Sequence, residues 1–241
     1  MKTYISKSAN TILKEYFEKD LGASDARPKE GCDARSKEGC DAYSEKGLGK
    51  GLILVGPILN VDPAINCHPD IIYCKLKDDE VFVGDENYLS AKYPGDIRYN
   101  ACSTGKYFIH NLKYTDEALL NRAKELGLKL IDVKQGYAKC SIVVVDEDSI
   151  ITYDEGIVHE CENVGLSVLQ ISPGNVRLDG YSTGFIGGTS GKVGNEIIFN
   201  GDLSLHPDFD RIKTFIEERG LILKYFPEYE LTDIGSIIEV D

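Results

Sequence analysis

A recurring order of strand, helix, glycine and strand restricts the fold of this chain more than any other feature. Residues 106–111 (KYFIHN) read as a strand, Thr115 and Asp116 cap a helical run to Leu126, Gly127 ends it, and LKLIDV follows as a second strand. The strings EIIFNGD, HPDFDRIKTFIEER, Gly220 and LILKYF repeat that order. Residues 140–171 repeat it in shortened form with CSIVVVD, SIITYD, a weak helix near 154–164, Gly165 and LSVLQI. A helical pattern over 8–21 puts Ile12, Leu13, Tyr16 and Phe17 on one face, stops at Gly22 and leads to the buried strand LILVGPI at 52–58. The stretch from Tyr73 to Asn100 is a fifth unit, in which Pro94 cuts the helix short. About five copies at a spacing of roughly 35 to 55 residues make an internal repeat.

Each unit is too small to bury its own apolar face, so the units must share one core. A closed ring lets the first unit meet the last, and LTDIGSIIEV at 231–240, with no helix after it, is placed to pair with the N-terminal unit. An open doubly wound sheet is the competing architecture, but back-to-back strands such as VVVDEDSII fit hairpins better than crossovers. Residues 1–241 are expected to form one α/β domain, interrupted at 23–50 by three drifting octapeptides, DARPKEGC, DARSKEGC and DAYSEKGL. That insertion is charged and almost free of large apolar residues, and it reads as a flexible loop. Its Cys32 and Cys40 read as incidental thiols.

The net charge of −13 argues against a nucleic-acid partner, which calls for a basic face. Seven cysteines in irregular spacing favour a reducing compartment. No apolar run is long enough to span a bilayer, and MKTYISKSAN lacks a signal core, so a cytoplasmic protein is expected.

The stretch least explicable as scaffold is Gly180–Asp208, with six glycines before the strand at Glu196–Phe199 and His206-Pro207-Asp208 after it. A second His-Pro-Asp occupies His68–Asp70. One reading is structural: Gly187, Gly188 and Gly191 make a tight hairpin or bulge and Asp208 caps the next helix. The other is a polar site. Phosphate binding is disfavoured, because GFIGGTSG matches neither GxGxxG nor GxxxxGK[ST]. Cys67, His68 and Cys74 lack the spacing of a zinc pair, and no metal or cofactor is implied. There is no GxSxG elbow, His110 and His159 need no special role, and 146–148 reads as a solvated hairpin turn.

The strings NCHPDI, QGYAKCSI, ITYDEGI, GFIGGTSG, GDLSLHPD and DIGSII, spanning residues 66–238, resemble an uncharacterised bacterial domain family assigned to the pentein fold, the α/β propeller of guanidino-group-modifying enzymes. The resemblance implies about five pseudo-repeated strand-helix-strand units around an axial pocket. It also implies a cysteine attacking a guanidino carbon, a histidine as acid and base, and carboxylates that hold the cation. Ser236 and Ile237 stand where that cysteine falls in the C-terminal strand. If the site is permuted among units, Cys140 becomes the nucleophile, with Lys139 beside it to lower the thiol. His68 or His206 is then the base, with Asp70, Asp208 or Asp154 as carboxylates. Gly187, Gly188, Asp202, Asp233 and Ser236 fall in the matching strings as lining residues.

Two functions follow from this resemblance. One is an enzyme acting on a guanidino, amidino or related C–N compound through Cys140 and a His-Pro-Asp pair. The other is a non-catalytic member that binds a small cationic ligand or a protein partner. Oligomeric state stays open.

Overall fold

Helix α1 (Thr11–Asp20) joins strands β1 (Lys2–Ser6) and β2 (Gly51–Val55), which pair in parallel with Lys2 opposite Gly51 and Ser6 opposite Val55. This computed structural model describes residues 2–20, 51–77 and 80–240; the octapeptides, Gly22, Cys32 and Cys40 lie outside them. The helix begins later than its apolar pattern suggests, because Asn10 Oδ1 accepts the Ile12 amide at 2.9 Å and so caps the first turn.

Strands β3 (Tyr73–Lys75) and β4 (Val81–Val83) form an antiparallel pair. Among the described residues up to Asn100 no α-helix follows them, only a single 3₁₀ turn at Glu86–Tyr88. The expected fifth unit is therefore reduced to a hairpin. The next unit holds β5 (Cys102–Ser103), β6 (Tyr107–His110), α2 (Glu117–Glu125) and β7 (Lys129–Asp132). Asp116 caps α2 by accepting the Ala118 amide at 3.0 Å and the Leu119 amide at 3.3 Å.

A short helix α3 (Ala138–Ser141) precedes β8 (Val143–Asp146), β9 (Ser149–Thr152), α4 (Glu155–Asn163) and β10 (Ser167–Gln170). Cys140 therefore lies in a helical turn ahead of a strand rather than opening the strand. The last full unit holds β11 (Ser190–Val193), β12 (Glu196–Phe199), α5 (Phe209–Glu217) and β13 (Ile222–Lys224), and β14 (Ile238–Val240) ends the chain. Gly127, Gly165 and Gly220, at φ of 70, 93 and 71°, terminate α2, α4 and α5 in the left-handed conformation that a side chain resists.

Among the described residues, five small sheets and five α-helices make a mixed α/β fold. Four sheets share one design: a parallel pair linked by a helix, plus one antiparallel strand added at the edge. In the first sheet that added strand is β14, paired with β1 so that Lys2 faces Val240 and Tyr4 faces Ile238. The chain's two ends therefore share a sheet, as the helix-free C-terminal strand suggested. Ile157 and Cys161 of α4 pack with Ile150, and Ile212 and Ile216 of α5 pack with Ile197 and Phe199. Helices α4 and α5 thus each bury one face against their own sheet. No helix among the described residues is long and apolar enough to cross a membrane.

Candidate functional site

The antiparallel strand of each sheet is entered from a turn, and the turns converge. Asp70 lies two or three residues ahead of β3, and Asn100, Cys140, Gly187 and Ser236 stand likewise ahead of β5, β8, β11 and β14. Pro69 opens a 3₁₀ turn, Pro69–Ile71, that carries Asp70, whose amide donates to Gly235 O at 3.2 Å. Asn100 Oδ1 accepts the Lys139 and Cys140 amides at 3.0 and 3.2 Å and so fixes α3. Gly188 O accepts the amides of Ile234 and Ser236 at 3.0 and 2.9 Å.

Two glycines are required here by space. A Cβ at Gly188 would overlap the Asp233 carboxylate, and one at Gly235, which is at φ 72°, would overlap the His68 side chain. Ser236 adopts φ 73°, a conformation uncommon outside glycine and worth about 1–3 kcal/mol of strain.

The side chains meet in a buried array. Cys140 Sγ donates to Asp70 Oδ2 at 3.0 Å, and Ser236 Oγ donates to the same oxygen at 2.6 Å. Asn100 Nδ2 donates to Cys140 Sγ at 3.3 Å, and Lys139 Nζ donates to Ser236 Oγ at 2.9 Å. Asp233 accepts the Phe185 amide at 2.9 Å on Oδ2 and the Gly235 amide at 3.0 Å on Oδ1. One donor atom each from His68, Cys140 and Asp233 lies within 4.8 Å of the other two. Around a tetrahedral zinc with bonds of about 2.0–2.3 Å the donors stand about 3.3–3.8 Å apart, a spacing that His68 Nδ1 and Asp233 Oδ1, at 3.7 Å, already have. His68 Nδ1 and Asp70 Oδ1 are buried without a hydrogen-bond partner, which is costly unless a ligand supplies one.

Burial sets the resting charges. It pushes His68 down to about 4 against the opposing charge of Asp70, and it lifts Asp233 up to about 6. The 3.7 Å approach of His68 Nδ1 to Asp233 Oδ1 is consequently not an ion pair: where one group is charged the other is neutral. Burial also raises the Cys140 thiol well above its ordinary value, reinforced by the charges of Asp70 and Asp233. The lowering expected from Lys139 does not prevail: its ammonium reaches the thiol only by way of Ser236, and burial with the two carboxylates sets the net shift upward.

Of the residues singled out from sequence, Cys140, His68, Asp70, Asp233, Ser236, Gly187 and Gly188 come together. His206 and Asp208 do not join them. Asp208 Oδ2 accepts the Ser172 amide at 2.6 Å and Oδ1 pairs with Arg211, while His206 Nδ1 accepts the Asp208 amide. The Asp208 side chain makes no cap hydrogen bond to α5, which corrects the simple capping role. Asp154 caps α4 through the Ile157 amide at 2.9 Å, and Asp202 holds a turn through Ser204. His110 is satisfied by Thr115 and Gly136, as a structural histidine would be.

Sequence reasoning missed Asn100. Its signal was position, since it precedes β5 as Cys140 precedes β8. It also missed an aromatic row in which Phe185 lies 5.8 Å from Tyr137 and 6.2 Å from Tyr153, with Tyr137 donating to Asp96 at 2.6 Å. Phe185 is tied to Asp233 through its amide, so this row borders the cluster.

No curated protein and no solved structure matches the chain. Residues 81–238 match the model of DUF6873, a family of unknown function, and the chain belongs to that family.

Proposed function

We propose that this protein is a pentein-like α/β propeller whose hub acts on a guanidinium or amidinium compound through Cys140. The observation that carries the reading is the convergence of one turn from each sheet onto a buried thiol, imidazole and two carboxylates. Ring closure is supported by contacts between successive sheets. Tyr4 meets Tyr73 at 4.8 Å, Ser103 Oγ donates to Leu76 O at 2.9 Å, and Thr104 Oγ1 donates to Glu147 O at 2.8 Å. The Ile142 backbone abuts Gly187, and the Ile237 amide donates to Ser190 O at 2.9 Å.

The electrostatics favour a planar cation. Asp70 and Asp233 supply the carboxylates that such a group engages in paired hydrogen bonds, and Asp70 Oδ1 is open to accept one. A bound cation also offsets the two charges that hold the thiol up, so ionisation of Cys140 is coupled to binding. In the reaction, the thiol proton passes to His68 Nδ1 as the sulfur bonds to the central carbon. The C–N bond then breaks, and His68 returns that proton to the departing amine. Water attacks the same carbon, gives a proton to His68, and the C–S bond breaks to leave the thiolate, which His68 reprotonates.

The test is alkylation by 2-chloroacetamidine against its neutral analogue 2-chloroacetamide, read by peptide mass spectrometry. The expected result is saturable modification of Cys140 by the amidine, ahead of the half-buried Cys67, and its loss in Asp233→Asn. Equal labelling of Cys67 and Cys140, or preference for the neutral reagent, overturns the reading. The resting thiol and the serine at the C-terminal position favour one second reading, a non-catalytic cation binder. Guanidino compounds that protect Cys140 yet are recovered unchanged would select it.

A further inference from the structure

Lys139 belongs to two places at once. Its Nζ donates to Ser236 Oγ at 2.9 Å, and Ser236 shares Asp70 Oδ2 with the Cys140 thiol. The same lysine lines a cavity of about 350 Å³ that Cys140, His68, Asp70 and Asp233 do not line. That volume is within the range of small-molecule sites, about 300–1,000 Å³. Its wall takes a residue from each sheet's antiparallel strand: Tyr73, Ser103, Val144, Lys192 and Glu239.

In a chain of net charge −13, this one cavity gathers four lysines: Lys75, Lys77, Lys139 and Lys192. Three acidic residues line it too, and two of them are engaged. Asp146 lies 3.6 Å from Arg219, and Glu239 accepts the Gly194 amide on Oε2 at 2.8 Å while its Oε1 is buried without a hydrogen-bond partner; Glu147 is the third. An ammonium carries three donors, and Lys139 spends one on Ser236.

We propose that this cavity is a second ligand site, for a small oxyanion of phosphate or carboxylate type, and that Lys139 couples its occupancy to Cys140. An anion seated on Lys139 draws its positive charge away from the Ser236–Asp70–Cys140 array, which makes the thiolate harder to form. The site thus restrains the thiol when filled. The coupling half rests on the reading of Cys140 given above; the binding half does not.

The experiment titrates the full chain with sodium phosphate and, separately, sodium succinate, at ionic strength fixed with chloride, by isothermal calorimetry. One saturable site is expected for at least one of them, and which one binds identifies the oxyanion. Lys192→Glu, at an exposed position, weakens it by about tenfold, the loss ordinary for a charged hydrogen bond. Cys140→Ser leaves it unchanged, so failure of the thiol chemistry and failure of this site are told apart. Saturation slows iodoacetamide alkylation of Cys140 by about fivefold, the lower end of usual coupling between two sites, and Lys139→Met abolishes that slowing. No saturable heat with either anion, affinity unaltered in Lys192→Glu, or alkylation indifferent to saturation overturns the proposal.

Discussion

His68 and Asp233 titrate against each other, and the opposition has a measurable sign. His68 is held at about 4 when folded against an unfolded value near 6.5. The unfolded chain therefore binds the extra proton, and stability from this group rises with pH across that window. Asp233 is raised to about 6 from an ordinary value near 3.9. The folded chain holds that proton, and stability from this group falls as pH rises to 6. Each shift corresponds to about 3 kcal/mol, so the two nearly cancel in the intact protein. Relative to the parent, urea unfolding between about pH 4.5 and 6.5 should show a slope that is more positive in Asp233→Asn and less positive in His68→Asn, because His110, also held at about 4, adds the same rise to all three. Slopes displaced in the same direction in both variants would sink this account.

At the scale of elements, the site depends on turns that leave no room for substitution. Gly188 ends the approach to β11 where a side chain would occupy the place of the Asp233 carboxylate. Gly188→Ala should cost about 1–3 kcal/mol through overpacking and slow amidine labelling of Cys140, because Asp233 must leave the Phe185 and Gly235 amides. Gly56 is the control: nothing lies within 4 Å of a Cβ built there. Gly56→Ala should stay within about 0.5 kcal/mol. Chemical denaturation of both decides it, and equal effects would mean the crowding at Gly188 has no energetic consequence.

At the scale of the whole molecule, the first and last strands pair directly, with Lys2 opposite Val240. Lys2 and Val240 are therefore neighbours, a short linker can join the two strands, and new ends can be opened between Pro173 and Gly174, in a turn outside every strand and helix. Such a circular permutant should fold cooperatively with a melting temperature within about 5 °C of the parent, since no strand pairing is cut there. Removing residues 237–241 takes away β14 and its buried Ile238 and Val240, and should abolish cooperative unfolding. A stable truncated chain, followed by circular dichroism on heating, would show that the C-terminal strand is dispensable.

The chain's local chemistry determined which units exist. Asp116 as a cap, Gly127, Gly165 and Gly220 as stops, and the apolar strands between them are short-range signals, and four helix-linked parallel pairs formed where they predict; Asp154, expected as a site carboxylate, caps α4 instead. The fifth unit was misread: a helix cut short by Pro94 was expected, and among the described residues only a 3₁₀ turn follows β3 and β4, because the charged run before Pro94 leaves too little apolar periodicity for a helix. Only the tertiary structure decided which His-Pro-Asp string joins Cys140, because both have the same local sequence and differ in where their sheets carry them. It alone revealed Asn100 as the residue that sets the Cys140 turn. It also fixed the charge of the thiol, raised by burial and two carboxylates that are 70 and 93 residues away along the chain. Caps and stops act over one turn of backbone, whereas desolvation and Coulomb interaction depend on distances that exist only after the sheets have packed.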